Sequence, residues 1–261
     1  MTAALRFQVH PALDDPVLVL AFGGWNDASE AASGAVSFIN GTLKSVELAE
    51  IDPEEFYDFT VARPTVRLEG GEHRRVEWPS TEFRFGQVEG VDGVEIVTGL
   101  GTEPHMRWRH FSECVCALAE GIGAQRVLLL GAYLADVVYS RPVEVTGFAS
   151  DVSTLEQLGV ERSGYEGPTG IVGVLSDRLQ RDGREVLSLW ACLPHYLTAS
   201  PNPRGSLALL EKIAQYLRIE FDTADLQREA EEFEETVNEL VAGDPELSEY
   251  VRELKRRDFA Q

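Results

Sequence analysis

The chain has 261 residues, of which 44% are hydrophobic and 26% charged. That balance excludes a disordered chain, a collagen-like fibre and a bundle of membrane spans, and the length suffices for a large core without staples. Acidic residues outnumber basic ones 44 to 23, a net charge of −21 that disfavours binding to phosphate backbones and hence to nucleic acid in general.

Three cysteines, Cys114, Cys116 and Cys192, form no C-x-x-C pair, which fits a reducing compartment better than a disulfide framework. The first residues lack an apolar segment after a basic one, and no run approaches the roughly 18 apolar residues of a membrane span. The expectation is a cytoplasmic protein without membrane contact.

Val17 to Phe22 is an unbroken apolar run followed by Gly23-Gly24, the pattern of a strand buried on both faces. Asp27 is expected to open a helix carrying Ala28, Ala31, Ala32, Ala35 and Ile39 on one face, with Asp27 and Glu30 as a capping box. Residues 64–78 read as strand, Gly70-Gly71 turn and strand, a hairpin that must pack on its own body or on a second subunit. Residues 94–100 predict a second strand. A helix then begins at Pro104, with Glu103 in the cap position and Trp108, Phe111, Val115, Leu118 and Ile122 inward. Residues 127–130 and 186–192 are further strands. Between them lies a helix with Ile171, Val174, Leu175 and Leu179 on one side, entered through Gly167-Pro168-Thr169-Gly170 with Thr169 as cap. Asn202-Pro203 starts another helix, with Leu207, Leu210, Ala214 and Leu217 inward.

Strands alternating with amphipathic helices predict a three-layer α/β/α domain over residues 1–220 with a mostly parallel sheet. Residues 221–261 form an acidic helical hairpin. One helix carries Leu226, Ala230, Phe233, Val237 and Leu240, and a second, after Gly243-Asp244-Pro245, carries Leu247, Tyr250, Val251 and Leu254. Its apolar stripe needs cover, and folding over the loop edge of the sheet as a lid would supply it.

In open parallel sheets ligands bind beyond the carboxyl ends of the strands. There the expected loops gather Gly24, Trp25, Asn26 and Asp27, then Thr102, Glu103 and His105, then Tyr133, Asp136 and Arg141, and finally His195 and Tyr196. Each has a plainer reading: Asp27 as a cap, Asn26 as turn chemistry, the histidines as packed or surface groups, and Arg141 as a structural partner of a loop acid. Thr169 stands at a helix start whose amides could bind an anion. Asp27, Glu103 and His195 are the candidate acid–base groups. No P-loop, G-x-G-x-x-G fingerprint or G-x-S-x-G elbow occurs, and the five histidines include no H-x-x-x-H pair, so neither a metal nor a cofactor is expected.

Phe22-Gly23-Gly24-Trp25-Asn26-Asp27-Ala28, Gly101-Thr102-Glu103-Pro104, Gly167-Pro168-Thr169-Gly170-Ile171 and Pro194-His195-Tyr196 with Pro201-Asn202-Pro203 occur in this order. Together they resemble the PAC-two (proteasome assembly chaperone-like) family over about residues 20–215. The hairpin and acidic tail resemble its actinobacterial branch. The resemblance implies a phosphorylase/hydrolase-like α/β/α fold and a homo-oligomer, a trimer through the 64–78 hairpin. It also implies a non-enzymatic binding or assembly-chaperone module, with proteasome subunits as partners. Asn202 stands where the archaeal-type motif usually carries aspartate, which lessens a role for it as an acid. The alternative is a small-molecule-binding protein or hydrolase/phosphorylase-like enzyme using the strand-end cleft.

Overall fold

The structure, a computed structural model, describes residues 3–70, 73–88, 94–197 and 199–258. Gly71 of the expected hairpin turn and residues 259–261 of the expected tail lie outside the described residues. Four strands form the centre: β2 (Val17–Gly23), β7 (Glu95–Thr102), β8 (Arg126–Ala135) and β11 (Glu185–Pro194). They are mutually parallel in the order β7-β2-β8-β11. All four are the strands expected from the apolar runs, since a strand covered on both faces needs no polar alternation.

Strands not expected from the sequence extend the sheet to nine. On one side β6 (Thr81–Gln87), β3 (Val46–Ile51) and β1 (Leu5–Phe7) add antiparallel. On the other, β9 (Val145–Ala149) runs antiparallel to β11, and the two-residue β10 (Glu161–Arg162) runs parallel to β9. The sheet is therefore mixed, with a parallel heart.

Residues 17 to 22 show the sandwich most directly. Val17, Val19 and Ala21 face a core built with α1 (Ala31–Thr42) and α5 (Pro203–Leu217); Leu18, Leu20 and Phe22 face a core built with α2 (Trp108–Gly121) and α4 (Ile171–Arg181). The short α3 (Val152–Leu158) joins the first of these layers. The period of two in β-structure sends alternate side chains to opposite layers. Each fully buried leucine or phenylalanine is worth about 1.5–3 kcal/mol, so the shared strand anchors both cores. On α5 the buried stripe is Leu209, Leu210, Ile213 and Leu217, while the expected Leu207 and Ala214 are only partly covered at its margin.

The hairpin β4 (Thr65–Glu69) and β5 (His73–Glu77) stands outside the main sheet, and every residue of both strands is exposed. Val66 is paired with Val76 and Leu68 with Arg74, which places the apolar side chains on one face. Arg67 bonds Glu77 (2.6 Å) and Arg75 bonds Glu69 (3.2 Å) on the other. Trp78 rests edge-on against Phe59 at the base.

The tail forms α6 (Ala224–Gly243) and α7 (Pro245–Asp258), with Asp244 Oδ1 accepting from the amides of Glu246 and Leu247 at the turn between them. Val237, Val241, Val251, Tyr139 and Leu197 form a separate small core. Leu240, expected inward, is exposed; the helix instead turns Val241 in.

Candidate functional site

The loops that follow β2, β7, β8 and β11 lie at one rim of the sheet, because these strands point the same way. Two hydrogen bonds tie the end of β2 and its loop to their neighbours: the Glu103 amide, just after β7, donates to the Gly23 carbonyl (2.8 Å), and the Ala132 amide of β8 to the Asn26 carbonyl (2.8 Å). Gly24 turns this corner at φ 117°, a conformation open to glycine and costly for other residues.

Within the rim the candidate residues separate into two groups. The first surrounds Glu103. Its Oε1 accepts from Asn26 Nδ2 (2.6 Å) and from the amide of Ile171 (2.7 Å), the first residue of α4. Glu103 thus caps a helix 68 residues downstream rather than the one that follows it in sequence. The expectation that Pro104 opens a helix is corrected: α2 begins at Trp108, because the amides of His105 and Met106 donate to the Phe56 carbonyl and the intervening chain is held as a loop. Thr169 is not the cap of α4 either; Gly170 occupies that position, pressed against Asn26 and Glu103. Asn26 is fully buried, and its Oδ1 has no hydrogen-bond partner among the described residues.

Asp27 is buried beside this group and serves the opposite layer. Its Oδ1 accepts from the amides of Ala32 (2.7 Å) and Ser33 (3.3 Å), capping α1 across a single 3-10 turn. The expected capping box with Glu30 does not form, since Ser29 and Glu30 both take left-handed backbone conformations. Burial pushes the Asp27 carboxyl above its ordinary range, and the hydrogen bonds from Ser33 and Ala32 partly offset this. The carboxylates of Asp27 and Glu103 are therefore committed to amides of helices on opposite faces of the sheet. Among the described residues no hydrogen bond joins the two carboxyl groups. The Thr102 carbonyl accepts from the Tyr57 hydroxyl (2.7 Å), and His105 Nδ1 accepts from the Asp58 amide (2.9 Å), which draws that histidine to the periphery.

The second group lies over β8 and β11. His195 Nδ1 stands 3.1 Å from Asp136 Oδ1 and 3.3 Å from the Ala135 carbonyl, two acceptors that place the proton on that nitrogen. The Tyr250 hydroxyl donates to the same Asp136 oxygen (3.2 Å), and the rings of His195, Tyr196 and Tyr250 meet edge to face. Tyr196 donates to the Val137 carbonyl and accepts from the Tyr139 amide, both at 2.9 Å; burial raises its phenol to about 12. Arg141 pairs with Asp258 at the end of α7 (2.9 Å). Sequence reasoning missed Tyr139, Asn238 and Arg204, which tie this loop to α6: the Tyr139 hydroxyl donates to Asn238 Oδ1 (2.7 Å), and Arg204 of α5 donates to the Tyr139 carbonyl and pairs with Glu234 of α6 (3.5 Å). Their only signal was their place just after a strand or on an exposed helix face. A cavity of about 330 Å³ remains between this loop and α7, lined by Arg141, Glu144, Cys192, Leu254 and Asp258 among others. Among the described residues no three metal-ligating side chains converge, and no helix is long and apolar enough to cross a membrane.

Comparison with known proteins bears on this architecture. A crystal structure of a PAC2 family protein from Streptomyces avermitilis is 41% identical, superposes with a TM-score of 0.84, and matches 91% of this chain and 100% of that one. A Mycobacterium tuberculosis proteasome-assembly chaperone homologue is 39% identical over 90% of this chain and 99% of its own, with a TM-score of 0.82. PbaB of Pyrococcus furiosus, an archaeal proteasome activator, shares the fold (TM-score 0.72, 17% identity, 90% of this chain and 97% of that one). No curated protein matches the sequence. The sequence profile of the PAC2 family spans residues 21–241, from the end of β2 to the end of α6, and the chain belongs to that family.

Proposed function

We propose that this protein is a non-enzymatic assembly-chaperone module that holds proteasome subunits, in the cytoplasm of an actinobacterium. One observation carries the reading: the rim that would house chemistry in this fold spends its two best-placed carboxylates, Asp27 and Glu103, as helix caps in opposite layers. Their likeness to catalytic groups ends there, and what the rim offers instead is exposed loop surface. The 39% identity to a proteasome-assembly chaperone homologue supports the choice of partner. The hairpin supports self-association into a trimer: Val66, Leu68, Val76 and Trp78 present an exposed apolar face with Phe59 beside it at the base.

Mixing the protein with separately purified, unassembled α subunits of an actinobacterial 20S proteasome tests the reading. A defined complex in light scattering, with faster assembly of α rings, is the expected result. The absence of both the complex and the acceleration would overturn it. One observation favours a second reading, a small-molecule binder: the 330 Å³ cavity beneath α7, at the strand ends where such sites form. A metabolite that raises the melting temperature, and loses its effect in Arg141→Ala, would support that reading.

A further inference from the structure

The rim is covered unequally. α6 and α7 cover the loops after β8 and β11, whereas the loops after β2 and β7, the 163–170 loop and the end of β8 carry large apolar side chains into solvent. Trp25 is 63% exposed, Tyr165 66%, Leu134 51% and Met106 44%. They stand on four segments joined by hydrogen bonds: the β2 loop to the β7 loop through Glu103 and Gly23, the β2 loop to β8 through Ala132 and Asn26, and the 163–170 loop to Glu103 through Ile171. An exposed tryptophan on one of several joined loops is the kind of side chain that carries most of the energy at protein interfaces. The loop bearing it is held in a costly shape, with left-handed backbone at Ser29 and Glu30, secured by the buried Asp27 cap.

Charge then selects the occupant. Glu30 and Glu166 are exposed on the same loops, and neither forms an ion pair among the described residues. Arg107 on the β7 loop is held by Glu55 at 2.5 Å, while Arg109 in the first turn of α2 and Arg162 ahead of the 163–170 loop are exposed, so the preference for a cation rests on Glu30 and Glu166 on the loops of Trp25 and Tyr165 and on the charge of the whole chain. The whole chain adds its charge of −21 to this local field. Exposed aromatic rings flanked by free carboxylates attract the guanidinium or ammonium group of a partner through both cation–π and ionic contacts.

We propose that the Trp25 sector is the docking surface for a cationic segment of a partner protein, one that presents lysine or arginine beside an aliphatic side chain. The inference rests on the reading of the chain as a partner-binding module, and adds which surface binds and what chemistry it takes. The hairpin, with its different face and its proposed use between copies, is not part of it.

The test uses the full-length protein with two probes: unassembled proteasome α subunits, and a synthetic peptide of alternating lysine and leucine with a glutamate–leucine peptide as control. Trp25→Ala is expected to weaken binding of the α subunits and of the lysine peptide by about tenfold or more. Glu30→Lys with Glu166→Lys should do the same, and added salt should weaken the wild type. Leu240→Ala, at an exposed apolar position on the acidic α6, should change binding by less than about twofold, which separates the sector from general attraction to an acidic chain. Trp25 is a surface residue, so unchanged melting temperatures should accompany these losses. Binding of the α subunits that survives both rim variants would overturn the docking surface while leaving the chaperone reading intact. Trp25-dependent binding of the lysine peptide without any binding of α subunits would do the reverse. Equal binding of the glutamate peptide, or no binding of either probe to the wild type, would sink the proposal.

Discussion

Gly170 has no room for a methyl group. A Cβ built there would stand 2.5 Å from Glu103 Oε1 and 2.6 Å from Asn26 Nδ2, so Gly170→Ala must displace the cap of α4. The expected cost is about 1–3 kcal/mol, read as a lowered unfolding midpoint in urea. Gly41, in the last turn of α1 with nothing within 4 Å of its Cβ position, should respond with the opposite sign. Gly41→Ala should stabilise by about 0.5–1 kcal/mol through helix propensity, and equal losses at both sites would contradict the crowding argument. Glu103→Ala leaves the Ile171 amide and Asn26 Nδ2 without their acceptor and should cost about 1–3 kcal/mol, whereas Glu103→Gln keeps an oxygen in place and should cost less. Asp27 makes a pH-dependent prediction. Burial raises its folded-state pKa above the unfolded value of about 3.9, so its contribution to stability is full below that value and is lost as pH rises through the folded one. The melting temperature of the wild type relative to Asp27→Asn should therefore fall as pH is raised from about 3 to about 7 in calorimetry; a rising difference would refute the assignment. Composition and spacing marked Asp27 and Glu103 as notable but could not say which helix each serves. Glutamate 103 lies 68 positions from the amide it caps, and no local rule spans that distance.

At the scale of elements, the two tail helices are the part most able to leave. They add no strand to the sheet; Leu226 at the start of α6 joins the core with α1 and α5, and the rest holds on through a small separate core of Tyr139, Leu197, Val237, Val241 and Val251, with polar ties at Asp136, Arg141 and the Arg204–Glu234 pair. A unit of this kind opens at less than the global free energy. Leu254→Ala, which removes a buried anchor of α7, should cost the docked helix about 2–5 kcal/mol. Hydrogen exchange is the measurement: amides of α7 and of residues 136–141 should lose protection while those of β2 and β8 keep theirs. Uniform loss across the molecule would show that tail and body unfold as one. The four parallel strands were legible as apolar runs, and the helices through their spacing. The flanking β3 and β6 were not, because VELAEI and TEFRFGQ alternate buried and exposed positions imperfectly, and pair only with partners brought from elsewhere in the chain. The start of α2 was misplaced for a related reason: Pro104 suits a first helical turn, but the carbonyl of Phe56 claims the amides that would have begun it.

For the whole molecule, charge and exposed apolar surface set the expected behaviour. The hairpin's apolar face is exposed in a single chain, and its ion pairs occupy the other side. Leu68→Asp, placed in the middle of that face, should convert the proposed trimer to monomers in light scattering without lowering the stability of the α/β body, since the residue touches no part of either core. A trimer that survives this change would move the self-contact elsewhere. The rim and the hairpin are separate exposed surfaces, so loss of one function should leave the other measurable.

Apolar runs, helical spacing, the Asn202-Pro203 start and the two-glycine turn signal act within a few residues, and from them alone the layer architecture, the parallel heart, the hairpin strands and the location of the rim could be read. Only the folded chain decided that the rim splits into two sectors, that Glu103 and Asp27 serve different helices, and that Trp25 faces solvent while Tyr196 lies beneath α7. Those outcomes depend on which distant amide or ring arrives beside a side chain. That contact is made by packing across the sheet, and local preference carries no information about it.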